Sequence, residues 1–190
     1  RGVIITHGHM DHIGAIPHLM PELGNPPLFT ARLTAGLIEK RQREYRHAPK
    51  LNIQIINEKS RIQMGKFKIE FFRVNHNIPD SFAVVVGTPL GTVIHTGDFK
   101  IDKTPVNDQP MDLEHVARLG KQGVLCLMAD STNAEQPGYQ ISESDVGKEL
   151  DNLFAKLKGR IIIGTFASLI SRVQQIILLA KKYNRRVVVT

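Results

Sequence analysis

Cysteine is nearly absent from this chain. Its 190 residues include one, Cys126, which excludes an internal disulfide framework and suits a reducing compartment. Cys126 sits in the apolar run Val124-Leu125-Cys126-Leu127-Met128 and is expected to be a small buried hydrophobe. No run of eighteen apolar residues occurs, so no membrane-spanning helix is expected, and no charged-then-apolar leader precedes the first strand. An initiating methionine is also missing. The chain opens almost inside a strand and closes in another, Arg185-Arg186-Val187-Val188-Val189-Thr190, so it reads as an internal piece of a longer protein. Repeats and low-complexity segments are absent. Acidic residues are the minority, 18 against 25 basic, and the net charge of +7 favours polyanionic partners. Two clusters place a tyrosine among cations: Arg41-Gln42-Arg43-Glu44-Tyr45-Arg46-His47 and Lys181-Lys182-Tyr183-Asn184-Arg185-Arg186. The first fits a nucleic-acid surface and a solvated helix face equally well; the second reads as a helix C-terminus whose lysines complement the dipole.

What the chain does have is histidine in one place. Thr6-His7-Gly8-His9-Met10-Asp11-His12 puts three imidazoles and a carboxylate within six positions, directly after the apolar run Val3-Ile4-Ile5. A β-branched run followed by a glycine turn reads as a buried strand delivering its end to a site. Imidazole and carboxylate suit zinc, with manganese or iron as alternatives. In an extended segment His7 and His9 share a face. Asp11 and His12 follow where the chain turns toward a helix, and can diverge to a second metal.

Strand and helix signals then alternate. Residues 13–20 carry apolar residues at helical spacing, stopped by Pro21 and Gly24-Asn25-Pro26-Pro27. A short strand is expected at 26–30 and a helix at 32–46. Strands follow at 53–56, 61–64 and 66–74, the last two joined at Gly65. Alternation at Phe67, Ile69 and Phe71 predicts a half-buried strand. Residues 81–87 and 91–95 form a hairpin around Thr88-Pro89-Leu90. Further on, 142–158 is a helix opened by the capping run Ser142-Glu143-Ser144-Asp145, 160–163 a strand, and 169–183 a helix.

The spacing His7, His9, Asp11, His12 resembles the signature of the metallo-β-lactamase superfamily. That resemblance implies an αββα sandwich with a one- or two-metal hydrolytic site at the strand edge. Two strand-end residues fall where such a site needs them. His76 follows Phe71-Phe72-Arg73-Val74-Asn75, and Asp98 follows Thr92-Val93-Ile94-His95-Thr96-Gly97. A carboxylate there can bridge two cations about 3.5–4 Å apart. His95 is read as orienting a ligand, or equally as a plain core histidine. His18, His47 and His115 lack such a context.

Four further blocks narrow the resemblance: Asn75-His76-Asn77-Ile78-Pro79-Asp80-Ser81, His95-Thr96-Gly97-Asp98-Phe99-Lys100, Ala129-Asp130-Ser131-Thr132-Asn133-Ala134 and Gly164-Thr165-Phe166-Ala167-Ser168. Together they resemble the ribonuclease J family, β-CASP members of the superfamily, over essentially the whole chain. The resemblance implies a 5′-to-3′ exoribonuclease that also cuts internally in RNA decay and maturation, acting as a cytoplasmic homodimer or homotetramer. It implies two divalent ions, zinc first and manganese second. His7, His9 and His76 would hold one and Asp11 with His12 the other, bridged by Asp98; Asp11, Asp98 and His76 are the catalytic candidates. Asp130 would support the site without being a ligand, and Ser131, Thr165 and Ser168 would lie near it or contact RNA. The implied organisation is an incomplete metallo-β-lactamase-like domain over 1–140, running into a β-CASP domain at 141–190.

This chain departs from the family at two positions, having Leu169 where an Asn is usual and Ser171 where a His is usual. The family also draws its last metal-ligating His, and the leaving-group acid, from segments beyond residue 190. The expected mechanism is attack on phosphorus by a hydroxide bridging two cations, leaving a 5′-phosphate without participation of the 2′-hydroxyl. Alternatives stay open: a DNA nuclease, thioesterase or lactonase of the same fold, or a non-catalytic RNA-binding paralogue. The 190 residues alone are expected to be inactive.

Overall fold

The computed structural model describes residues 1–189. Its first sheet is parallel, in the order β1 (Val3–Ile4), β2 (Leu28–Thr30), β3 (Ile53–Ile55). Parallel neighbours need crossover connections. These are supplied by α1 (Met10–Ile13) with α2 (Ile16–Glu22), and by α3 (Arg32–Gln42). The second sheet has the order β4 (Arg61–Met64), β5 (Phe67–Arg73), β6 (Phe82–Thr88), β7 (Gly91–His95), β8 (Cys126–Met128). Its first four strands are antiparallel neighbours. β8 joins β7 in parallel after α4 (Leu113–Gln122). Gly65 turns the β4–β5 hairpin at φ +60°, where a side chain would be strained.

Three apolar clusters stack these parts into layers. Ile13, Ile16, Met20, Leu28 and Ile38 join the first three helices to the parallel sheet. Ile4, Phe29 and Ile56 meet Ile69, Phe71, Phe82 and Val84 between the two sheets. Phe72, Val74, Ala83, Val85 and Ile94 meet Leu119 and Val116 of α4 on the far face. The result is helix, sheet, sheet, helix, the expected αββα order. Beyond it, α5 (Glu143–Lys156) and α6 (Ile170–Lys182) pack on each other.

Several expectations need correction. Cys126 is exposed, because β8 is an edge strand with Leu125, Leu127 and Met128 also open to solvent. The strand over 67–73 is not half-buried along its length: Phe71 and Phe72 point to opposite faces and both are buried, since each face has a covering layer. The helix over 13–20 is two short helices, broken at Gly14 and Ala15. Among the described residues, 160–163 and 185–189 form no strand ladder; Thr190 lies outside them. In place of a ladder, the Arg185 guanidinium donates to the carbonyls of Leu157 and Gly159. Helix α4 carries no sequence expectation here, although Leu113, Val116 and Leu119 lie on one face and Asp112 caps it, its carboxylate accepting from His115 N at 2.8 Å.

Candidate metal centre

The His-rich segment is extended where it leaves β1 and helical where it ends. Ile5 N donates to Phe29 O at 3.0 Å, Thr30 Oγ1 to Ile5 O at 3.0 Å, and Phe82 N to Thr6 O at 3.0 Å, so the segment is pinned between the two sheets. His9 remains extended and its carbonyl accepts from His12 N and Ile13 N, starting α1. Asp11 and His12 thereby lie in the first turn of that helix, and the His12 ring stands 4.0 Å from that of His7, centroid to centroid.

Two strand ends of the second sheet arrive at the same place. Beyond β5, Asn75 is buried; its carboxamide donates to Gln109 O at 2.7 Å and accepts from Met111 N at 3.1 Å, which fixes the approach of His76. Beyond β7 the chain turns at Gly97, with φ +61°. A Cβ on Gly97 would lie 3.0 Å from Thr6 Cβ, so only glycine lets this turn lie against the His-rich segment. Gly97 N donates to His95 Nδ1 at 2.9 Å, so His95 shapes the turn that presents Asp98.

These approaches converge in two overlapping groups: His7, His9, His76 and Asp98, and Asp11, His12 and Asp98, their ligand atoms all within 4.8 Å of one another in each. His9 Nδ1 and His76 Nε2 are 3.1 Å apart. Asp98 Oδ2 lies 3.7 Å from His7 Nε2 and 3.6 Å from His76 Nε2, while its Oδ1 lies 3.4 Å from His12 Nε2. Asp11 Oδ2 is 3.5 Å from His12 Nε2. One carboxylate thus turns one oxygen to each group.

The donor chemistry fits divalent cations. His7 Nε2, the nitrogen that faces Asp98, is buried without a hydrogen-bond partner, a costly arrangement that a cation would relieve. Thr6 Oγ1 is 3.1 Å from His7 Nδ1, a hydrogen bond that orients the ring with Nε2 toward the other candidate ligands. Burial, then the neighbouring imidazoles, pushes His7 down to about 3. Burial, then His9, pushes His76 down to about 4, against the pull of Asp98 and Asp130. Burial lowers His9 as well, opposed by Asp11 and Asp98. All three are therefore neutral donors at physiological pH. Ligand atoms around one zinc at about 2.0–2.2 Å sit roughly 3.3 Å from each other, close to the separations found here.

The remaining candidates are placed unevenly. The Asp130 carboxylate accepts from Thr132 N at 2.9 Å, Thr132 Oγ1 at 2.6 Å and Phe99 N at 3.3 Å. Burial opposes its ionisation, but these donors and His76 hold it below the usual carboxylate range. Ser131, Thr165 and Ser168 are exposed. Thr165 faces a cleft it shares with Phe154, Ile161 and Val187. His18 stacks edge-on against Tyr45 with centroids 4.8 Å apart, and His115 lies beside Phe72 and Glu70. Thr6 and Asn75 were not singled out in the sequence, yet each lies beside a candidate ligand in a fixed hydrogen bond. Thr6 carried a signal, a hydroxyl adjoining His7; Asn75 carried only its place in a family-like block, because its role depends on contacts across the fold.

Comparison with known proteins agrees with this fold. Residues 1–148 match the beta-lactamase superfamily domain, and 158–190 match the beta-CASP domain of ribonuclease J. Ribonuclease J of Thermus thermophilus is 45% identical over 97% of this chain and 33% of its own length. Ribonuclease J of Synechocystis is 42% identical over 100% of this chain and 30% of its own. The chain spans about a third of the length of these curated relatives. A crystal structure from Enterococcus faecalis, described as a protein of unknown function, shares the fold with a TM-score of 0.67 at 19% identity, over 95% of this chain and 44% of that one.

Proposed function

The chain belongs to the beta-lactamase superfamily, and on that premise we propose that it carries the metal-binding part of an enzyme that hydrolyses RNA phosphodiester bonds. The observation that carries this reading is Asp98, whose two oxygens face the two donor groups separately. The RNA substrate is supported by the ribonuclease J relatives at 42–45% identity and by the beta-CASP match at 158–190. A basic chain, net +7, is consistent with a polyanion.

His7, His9 and His76 would hold one divalent cation, Asp11 and His12 a second, with Asp98 shared. Three imidazoles with a carboxylate favour zinc, and manganese is the second choice. When bound, the pair supplies Lewis acidity that lowers the pKa of a water and offsets charge on the phosphoryl oxygens. The neutral imidazoles keep their lone pairs because burial resists protonation. Asp11, with an exposed side chain, is open to a water and can orient it or take its proton at a carboxylate oxygen. Asp130 fixes the Phe99 backbone, and so the loop after Asp98, through its bond to Phe99 N.

The finer reading follows the family resemblance of the sequence. The full-length protein is a cytoplasmic homo-oligomer, dimer or tetramer, acting 5′ to 3′ and also internally. The metal-binding domain ends near residue 140, and the β-CASP domain begins there. Among the described residues no helix is long and apolar enough to cross a membrane.

Hydrolysis by a water-derived nucleophile leaves a 5′-phosphate on the downstream product. His9→Ala and Asp11→Ala in the full-length protein reduce cleavage to background while RNA affinity stays within about threefold, because affinity rests on phosphate contacts elsewhere. Retained cleavage in both variants, or products ending in a 2′,3′-cyclic phosphate, would contradict the reading.

A further inference from the structure

Two residues past Asp98, Lys100 stands where the sandwich meets the helix pair α5 and α6. Its backbone N–H donates to Asn75 O at 2.7 Å, an isolated bridge joining the residue before His76 to the loop after Asp98. Its side chain, largely buried, runs the other way. Lys100 Nζ lies 3.7 Å from Asp102 Oδ2 and 3.4 Å from Glu143 Oε1 at the start of α5.

Glu143 in turn receives Arg172 of α6 in a fork, with Nε at 3.2 Å and Nη2 at 3.0 Å from Oε2. Gln175 Nε2 adds a longer contact at 3.5 Å, and Glu143 N donates to Asp102 Oδ2 at 3.1 Å. Asp102 and Glu143 are both buried. Two cations and two carboxylates make the group neutral, and its geometry supplies the hydrogen bonds that a buried ionic cluster requires. Among the described residues, every hydrogen bond or ion pair linking 1–141 to 142–189 ends on Lys100, Asp102 or Thr104. One short loop therefore fastens the helix pair and also carries Asp98.

The placement matters for the metal centre. His76 Nε2 and Asp98 Oδ2 are 3.6 Å apart, and the Asn75–Lys100 bridge ties their two strand ends together. His76, Lys100, Glu143 and Ser171 also line one small cavity, which brings the starts of α5 and α6 close to His76. A shift of Lys100 reaches both ligands.

We propose that Lys100 is a positioning residue for the metal centre: its backbone joins the strand ends bearing His76 and Asp98, and its ammonium, clasped by Glu143, locks that junction to helices α5 and α6. The proposal rests on the reading of His76 and Asp98 as ligands. It predicts that the helix pair and the cations are energetically coupled through the Lys100–Glu143 pair, so that removing either partner weakens metal binding.

The test is zinc titration of the metal-free full-length protein against a competing chelator, with amide hydrogen exchange across residues 96–104. Lys100→Met and Glu143→Gln each weaken zinc binding about tenfold, the scale of lost support around a ligand. The double variant is no weaker than either single one, since both break the same link. Lys100→Arg, which keeps a cation of similar reach, restores affinity to within about threefold, and exchange at 96–104 quickens only in the variants that lose affinity. A cluster with a purely structural role would lower the melting temperature and leave the zinc affinity of the folded protein unchanged. Unchanged affinity in Lys100→Met, or losses that simply add in the double variant, would overturn the proposal. If Glu143→Gln does not fold, Lys100→Met against Lys100→Arg decides it. Wild-type protein that binds no divalent cation would instead refute the metal-centre reading itself, a result distinguishable before any variant is made.

Discussion

Asp11, His12, Asp98 and the imidazoles of His7, His9 and His76 were legible as candidate ligands in the sequence because metal-binding residue types fall at strand ends there, and the fold brings them together. Their supports were not. A threonine beside His7, or an asparagine buried under His76, has an ordinary local context, and only the fold shows which atoms they meet. The electrostatics of the imidazoles lead to a pH prediction. His7 and His76 fall from 6.5 to about 3 and about 4, so the unfolded chain binds more protons than the folded one in that interval. Their contribution to stability is fully present above the unfolded value of 6.5, and is lost as pH falls from there through about 4 and then 3. The chelated, metal-free full-length protein should therefore melt at an even temperature at neutral pH and at progressively lower ones below about pH 6.5. Thermal melts across that range check it, and a melting temperature that rises on acidification would contradict it.

Among the elements, β5 was readable from alternation, its hairpin with β4 from Gly65, β6 and β7 from the turn at Thr88-Pro89-Leu90, and α5 from its capping run at Ser142, whose hydroxyl accepts from Ser144 N at 3.2 Å. What alternation could not show was how many layers cover a strand. Phe71 and Phe72 are both buried because layers lie on each side, while the equally apolar 125–128 run is exposed because β8 ends the sheet. Local pattern records hydrophobicity, and neighbours decide burial. The turn at 96–98 gives the prediction at this scale. Gly97→Ala forces a side chain into positive φ and against Thr6, costing roughly 2 kcal/mol. Chemical denaturation measures that loss, and zinc affinity should fall with it because Asp98 is displaced. A variant as stable as wild type would show that the turn has room the geometry denies.

At the scale of the whole molecule, the αββα layers are complete enough to bring six candidate ligands together, while the surface around α5 and α6 is not covered. Ile162, Phe166, Val188 and Val189 are at least 81% exposed, and Ile161, Ile163 and Val187 line an open cleft with Phe154 and Ile177. The β-branched runs at 161–163 and 187–189 promised strands, but a strand forms only with a partner, and among the described residues these have none. Exposed runs of this kind recruit other chains. Residues 1–190 expressed alone should aggregate or express poorly and cleave no RNA above background; size-exclusion chromatography and a labelled RNA check both, and a soluble, active monomer would contradict them. The most direct test of the account is metal content. Full-length protein should hold two zinc or manganese ions per subunit by elemental analysis, and Asp98→Ala at most one, because both donor groups share that carboxylate. Two ions retained in Asp98→Ala, or none in the wild type, would contradict the shared two-cation centre.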